Sequence, residues 1–208
     1  WIKQAGDHST AVAVTEWNNH QALLFGTDAF TVELWIMSTS TSPDNQHVYN
    51  SQGSNAPGGY LAMNIFQGKT LTCVFQGAGS WPSVSIKLDI PLNVWTHVAC
   101  TRDSSNIVTV YVNGKTGSLP QNYNGGYSVN SAYNIGPATS VKIGVNPSSN
   151  SEYFSGKIRS FRATKGISLY DRTKGSTGDG NSIRYYLGKC EEIGPHCLHI
   201  DNGESNYV

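Results

Sequence analysis

Trp95-Thr96-His97-Val98-Ala99-Cys100-Thr101, a polar turn over 102–106, and then Ile107-Val108-Thr109-Val110-Tyr111-Val112 form the stretch on which the fold turns. Both runs are rich in β-branched and aromatic residues, as strands are. Val98 and Cys100, two apart, are placed to face a core. Asn113-Gly114 then supplies the positive φ angles of a two-residue type I′ turn leading into Lys115. The same signature recurs outward along the chain. Phe30-Thr31-Val32-Glu33-Leu34-Trp35-Ile36 sets Phe30, Val32, Leu34 and Ile36 on one face, with Glu33 and Trp35 on the other. Tyr60-Leu61-Ala62-Met63-Asn64-Ile65 and Thr70-Leu71-Thr72-Cys73-Val74-Phe75 are joined by the hairpin turn 66–69. Val84-Ser85-Ile86-Lys87-Leu88 alternates, and 141–145 and 156–163 bring the series to at least eight strands. Helical periodicity is nearly absent, as are β-α alternation, GxGxxG and a P-loop. The expected fold is all-β: an antiparallel β-sandwich or jelly roll.

The 208 residues suit one large β domain with a sizeable core. Only 13% are charged, and 14 basic residues cancel 14 acidic ones. Nucleic acid and anionic membranes need clustered Lys and Arg for counterion release, so neither is an expected partner. No apolar run reaches the roughly 20 residues of a membrane helix, so no membrane insertion is expected. The 22 glycines fit many turns between short strands. The chain starts at Trp1 rather than Met, as a processed product or excised domain would. Without an N-x-Ser/Thr sequon, a bacterial or viral source is favoured over a secreted glycoprotein. Residues 1–173 are read as the sandwich and 174–208 as a Gly/Ser-rich linker and cysteine-bearing tail. A second polar stretch, 118–138, reads as a long surface loop.

Four cysteines allow three full pairings. The simplest in an oxidising compartment joins Cys190 to Cys197 and Cys73 to Cys100. Alternatively, Cys73 and Cys100 are buried thiols acting as small hydrophobes. A zinc site would need close C-x₂₋₄-C pairs, which the chain lacks.

Across 29–170 the chain resembles laminin-G-like domains of the concanavalin A-like superfamily. Phe30 to Ile36 is similar to the opening "FTvEfWv" strand, and Trp95 to Arg102 to "W-h-h-V-A-v-T-R". Tyr111-Val112-Asn113-Gly114-Lys115 resembles "lYvNGk". Ile143-Gly144, followed by Phe154-Ser155-Gly156-Lys157-Ile158-Arg159-Ser160-Phe161-Arg162, resembles "iG … F-x-G-x-I-d-x-f-R". These residues build the framework rather than a site: Gly156, for example, stands where backbone passes close to its neighbours. Arg162-Ala163-Thr164-Lys165-Gly166-Ile167-Ser168-Leu169-Tyr170 is similar to the closing motif of laminin-G-like domains in bacteriophage and other viral structural proteins.

The resemblance includes glycoside hydrolases and polysaccharide lyases, so catalysis has to be weighed. Glycosidases of this fold set their carboxylates on alternate residues of one strand, as in E-x-D-x-E. No such run occurs; Glu33 has no acid two residues away, and Glu191-Glu192 lies in the tail. Gln46-His47-Val48 only scrambles the Q-I/V-H strand of alginate lyases, and G-x-S-x-G is missing. His97 reads as a framework residue rather than a base, and His196 and His199 as part of a disulfide-fastened loop rather than a metal cluster. The chain is therefore expected not to be an enzyme.

Calcium is the cofactor the resemblance implies, held at the sandwich rim by oxygen ligands. Asp28 and Asp44 are the available loop acids, but Arg159 replaces the family's frequent acid. A binding surface is the stronger expectation, because sugars stack on aromatic rings beside amides and hydroxyls. Trp81 and the loop residues Tyr123, Asn124 and Tyr127 are the candidate contacts. The reading is a non-catalytic binding or adhesion module for a carbohydrate or protein surface ligand. One alternative is a structural component of a virion or surface appendage, assembling as a homo-oligomer or with other chains. Another is an accessory domain of a secreted polysaccharide-degrading enzyme. All place the chain outside the cell, secreted or on a virion or cell surface.

Overall fold

A computed structural model describes residues 12–13, 23–41, 45–51, 60–66, 70–75, 83–87, 90–115, 121–122, 134–135, 141–146, 152–170 and 197–200. The strands among them are β1 (Val12–Ala13), β2 (Phe30–Ser38), β3 (Gln46–Asn50), β4 (Leu61–Phe66), β5 (Thr70–Phe75), β6 (Ser83–Lys87), β7 (Thr96–Arg102), β8 (Val108–Val112), β9 (Gln121–Asn122), β10 (Lys142–Ile143), β11 (Gly156–Lys165) and β12 (Cys197–Ile200). They form a seven-stranded sheet, β1-β10-β3-β4-β5-β6-β9, and a five-stranded sheet, β12-β11-β2-β7-β8. Every pairing between these strands is antiparallel. Among the described residues no helix is long and apolar enough to cross a membrane.

Side chains two apart share a sheet face, so the alternation read from the sequence sets the layers. Val32, Leu34, Ile36, Val98, Cys100, Val110 and Ala163 line the inside of the five-stranded sheet. Leu61, Met63, Ile65, Leu71 and Cys73 line the inside of the other, and all belong to one core. Tyr49 stacks on Phe161 at 5.5 Å between ring centroids, one contact across the two layers. A second is covalent: a disulfide joins Cys73 of β5 to Cys100 of β7. The two cysteines are therefore paired, not free thiols, and both are fully buried.

Just past the end of β8, the Asn113-Gly114 turn forms as its sequence predicts. Asn113 and Gly114 have φ of 50° and 72°, and Val112 and Lys115 exchange backbone hydrogen bonds. The Asn113 side chain adds a fastening by accepting from the His97 N–H at 2.9 Å.

Two irregularities shape β11. Its register to β2 shifts between Arg159 and Arg162, with Ser160 at a φ of 52°. This bulge leaves Arg159 opposite Trp35 and Arg162 opposite Glu33. At the start of the strand, a Cβ on Gly156 would lie 2.1 Å from the Met37 carbonyl oxygen. Only glycine permits that approach, as the close-packing argument anticipates.

Strand β3 is not evident from the sequence. Its five residues alternate poorly because a bulge between His47 and Tyr49 turns both Val48 and Tyr49 into the core. Strand β12 also lies beyond the strands read from sequence; it pairs with Phe161 to Thr164 of β11 and forms one edge of the five-stranded sheet.

Candidate functional site

The outer face of the five-stranded sheet carries the row Thr31, Glu33 and Trp35 from β2. Across it, β7 contributes His97, Ala99 and Thr101, and β8 contributes Thr109 and Tyr111, all by direct register. A sheet face of this kind ordinarily meets water, yet Glu33, His97 and Tyr111 are buried. The cover is the chain itself. Gly166, at a φ of 85°, ends β11, and residues 166–170 return over the sheet as a short strap. Ala99, Tyr111, Leu169 and Tyr170 form a second small apolar core beneath it.

Each part of the strap has a named anchor. The Gly166 N–H donates to the Ala29 carbonyl at 2.7 Å. The Thr31 hydroxyl donates to the Ile167 carbonyl at 3.2 Å and accepts from the Leu169 N–H at 2.9 Å. The Thr164 hydroxyl also donates to the Ile167 carbonyl, at 3.2 Å. Beyond these, the Tyr170 hydroxyl donates to Glu33 Oε2, its ring packing against His97 and Tyr111 at 5.9 and 5.3 Å.

Glu33 is the hub. Its Oε2 also meets His97 Nε2 at 2.8 Å, and its Oε1 takes the Arg162 guanidinium. Burial alone would raise the Glu33 pKa. The His97 hydrogen bond and charge, the Arg162 cation and the Tyr170 hydroxyl outweigh it and hold the carboxyl below its ordinary 4.5. Glu33 thus stays ionised, and the cluster is a fastening. The groups that meet Glu33 are a histidine, an arginine and a tyrosine. His97, expected to be a framework residue, is fully engaged in this role on its Nε2 side.

Between the strap and the β7–β8 turn lies an open concavity of about 460 Å³. Thr101, Asp103, Ser104, Thr109 and Ser168 bring hydroxyls and a carboxylate to it, while Ile167, Leu169 and Tyr170 form an apolar side. The Asp103 carboxylate is held in place, because its Oδ1 accepts the N–H groups of Ser105 and Ile107 at 2.8 and 2.9 Å. Fixed hydroxyls and an oriented carboxylate beside an apolar wall suit a small polyhydroxylated ligand.

The residues singled out from sequence are distributed differently. Trp81, Tyr123, Asn124, Tyr127, Asp44 and Cys190 lie outside the described residues, and Cys197 is described only as the first residue of β12. Asp28 is described, and two cations meet it. Its carboxylate pairs with Lys165 at 3.4 Å, and its carbonyl accepts from Arg102 Nε at 2.8 Å. Burial pulls the Arg102 pKa down to about 10, which leaves it a cation at neutral pH. No group of three His, Cys, Asp or Glu side chains able to hold a metal occurs among the described residues.

Thr101, Asp103, Thr109 and Ser168 are not legible in the sequence as site residues. Strand alternation places Thr101 and Thr109 on the outer face, but nothing in the sequence says that 166–170 folds back to wall them in.

Residues 7–166 match the laminin G family described as the concanavalin A-like lectin/glucanases superfamily. No curated protein is significantly similar to the chain. Solved structures share its fold at low identity. A heptameric SAP-like pentraxin from Limulus polyphemus has 17% identity and a TM-score of 0.50, with 86% of this chain and 84% of that one covered. The CBM40 of Ruminococcus gnavus IT-sialidase has 15% identity and a TM-score of 0.52, with 72% and 82% covered. Domains LG4-5 of the mouse laminin alpha1 chain have 13% identity and a TM-score of 0.51, with 74% and 38% covered. The chain spans no more than 38% of several longer structures that it resembles.

Proposed function

Since the chain belongs to the concanavalin A-like lectin/glucanases superfamily, we propose that it is a non-catalytic module that binds carbohydrate in the pocket under the 166–170 strap. The observation that carries this reading is the pocket's composition. Thr101, Thr109, Ser168 and the oriented Asp103 carboxylate surround about 460 Å³ of open space against Leu169 and Tyr170. Hydroxyl and carboxylate groups pair with sugar hydroxyls, and the apolar wall takes the C–H face of the ring. The anchors on Thr31, Thr164 and Glu33 hold the wall rigid, which lowers the ordering cost of binding. A sandwich of this fold serves a saccharide in the Ruminococcus gnavus module, described as bound to alpha2,3 sialyllactose.

A strand-borne carboxylate pair is what hydrolysis on this fold would need, and Glu33, committed to three donors, does not offer one. The Cys73–Cys100 disulfide supports an oxidising, extracellular setting.

A glycan array followed by titration calorimetry tests the proposal, with the Thr109→Val and Asp103→Asn variants. Saturable binding of a glycan, weakened tenfold or more by either variant at unchanged thermal stability, is the expected result. A chain that binds no glycan, or whose glycan binding ignores both substitutions, sinks it. In the latter case a stable homo-oligomer or a tight protein partner would turn the reading toward an assembly role.

A further inference from the structure

The other half of the same outer face carries a different chemistry. Trp35 of β2 stands opposite His97 of β7 on one side and Arg159 of β11 on the other. The Arg159 guanidinium carbon lies 5.7 Å from the centre of the Trp35 ring and 4.2 Å from that of Trp95, so the cation is stacked across two indoles. All three side chains are half-buried, and Lys157, two residues along the same strand and face, is exposed. Leu92 and Val94, just before Trp95 in the sequence, are 41% and 50% exposed.

Among the described residues the charge on this platform has no counterpart. The described residues include four carboxylates, and each is committed elsewhere. Glu33 holds Arg162, Asp28 pairs with Lys165, Glu152 with His47, and Asp103 accepts two backbone N–H groups. Among the described residues neither Arg159 nor Lys157 makes an ion pair or a side-chain hydrogen bond. The β11 bulge explains the contrast between the two arginines. Arg162 meets a buried acid, whereas Arg159 lies over aromatic rings and has no ion-pair partner among the described residues. A guanidinium held in one plane is prepared for a bidentate bond to a planar or tetrahedral oxyanion.

We propose that Trp35, Trp95, Arg159 and Lys157 form a second ligand site, specific for the anionic groups of an acidic saccharide, carboxylate or sulfate. The Arg159 edge and Lys157 take the anion, and the exposed indole surface takes the adjoining sugar ring. Complementary charge selects this occupant: the platform is cationic, and no carboxylate of the described chain neutralises it. The site is separate from the pocket under the strap and does not depend on it.

Titration with three probes tests this: a galacturonate tetrasaccharide for carboxylate, dextran sulfate for sulfate, and dextran as the neutral control. At least one anionic probe should bind and quench tryptophan fluorescence, weaken in high salt, and leave dextran unbound. Arg159→Gln should weaken it tenfold or more. Arg159→Lys, which keeps the charge but not the planar fork, should weaken it at least threefold, and Lys157→Gln should weaken it more modestly. Thr109→Val and Asp103→Asn, which probe the strap pocket, should leave this binding unchanged. Failure of both anionic probes to bind, equal binding of dextran, or affinity unaltered in both folded Arg159 variants would overturn the proposal.

Discussion

The Tyr170 hydroxyl donates to the buried Glu33 carboxylate across 137 positions of sequence, fastening the end of the strap to the middle of β2. Two other groups meet the same carboxylate, His97 from β7 and Arg162 from β11. One acid therefore holds together three strands and the segment that covers them.

Removing the acid is expected to cost far more than removing one of its donors. Glu33→Ala removes the acid that pairs with the buried Arg162, and should destabilise the fold by about 3–5 kcal/mol. Tyr170→Phe removes one hydrogen bond to a carboxylate that keeps two partners, at about 1–2 kcal/mol. Urea unfolding of both variants measures the difference; equal losses would contradict the hub role of Glu33.

Acid should weaken the fold in two stages. His47, buried on β3 beside Glu152 at 3.2 Å, has its pKa lowered below the ordinary 6.5, because burial outweighs the attraction of Glu152. The unfolded chain therefore binds the proton first. The His47 contribution is complete above about pH 6.5 and is lost as pH falls through its lower folded value. Glu33, also lowered, contributes fully above about pH 4.5 and loses that contribution below it. Chemical denaturation from pH 8 to pH 3 should show stability falling in this direction, with the upper stage missing in His47→Gln. Stability that rises on acidification through pH 6 would refute it.

The Cys73–Cys100 disulfide closes a loop of 27 residues between the sheets. On the chain-entropy account such a closure stabilises by about 3–4 kcal/mol. The double variant Cys73→Ala/Cys100→Ala should lower the urea midpoint accordingly, and a reductant should lower that of the native protein by more than that of the variant. A native midpoint insensitive to reductant under unfolding conditions would contradict this.

Gly156 has no room for a side chain, since a Cβ would press on the Met37 backbone and the Phe154 ring at 2.1 and 2.8 Å. Gly156→Ala should cost about 3 kcal/mol, measured as a fall in thermal midpoint. Gly166→Ala meets no neighbouring atom within 4 Å and suffers only from its φ of 85°, so its loss should be smaller, about 1 kcal/mol. The reverse order would refute the steric account.

Most of the sandwich is legible in the sequence because a strand with one buried face has to alternate. Phe30 to Ile36 and Leu61 to Ile65 do so, and their inner residues fill the core. Strand β3 is hidden because its bulge breaks the alternation at Val48 and Tyr49. The candidate site is much less legible. Thr101, Thr109 and Ser168 are ordinary hydroxyl residues, and only their convergence makes a pocket. In the sequence Arg159 registers only as the loss of a family acid; its stacking on Trp35 and Trp95 depends on a bulge that the sequence does not announce.

The stretch from Trp95 to Lys115 is enough to establish two strands and a type I′ turn after the second, because alternation and an Asn-Gly turn act over neighbouring residues. Its partners are another matter. His97 meets Glu33, Cys100 meets Cys73, and Thr101 shares a pocket with Ser168, each across tens of residues or more. Such contacts depend on which strands lie side by side and where the strap returns. Local pattern sets which face of a strand is apolar; sheet order and a covering segment decide what the polar face meets.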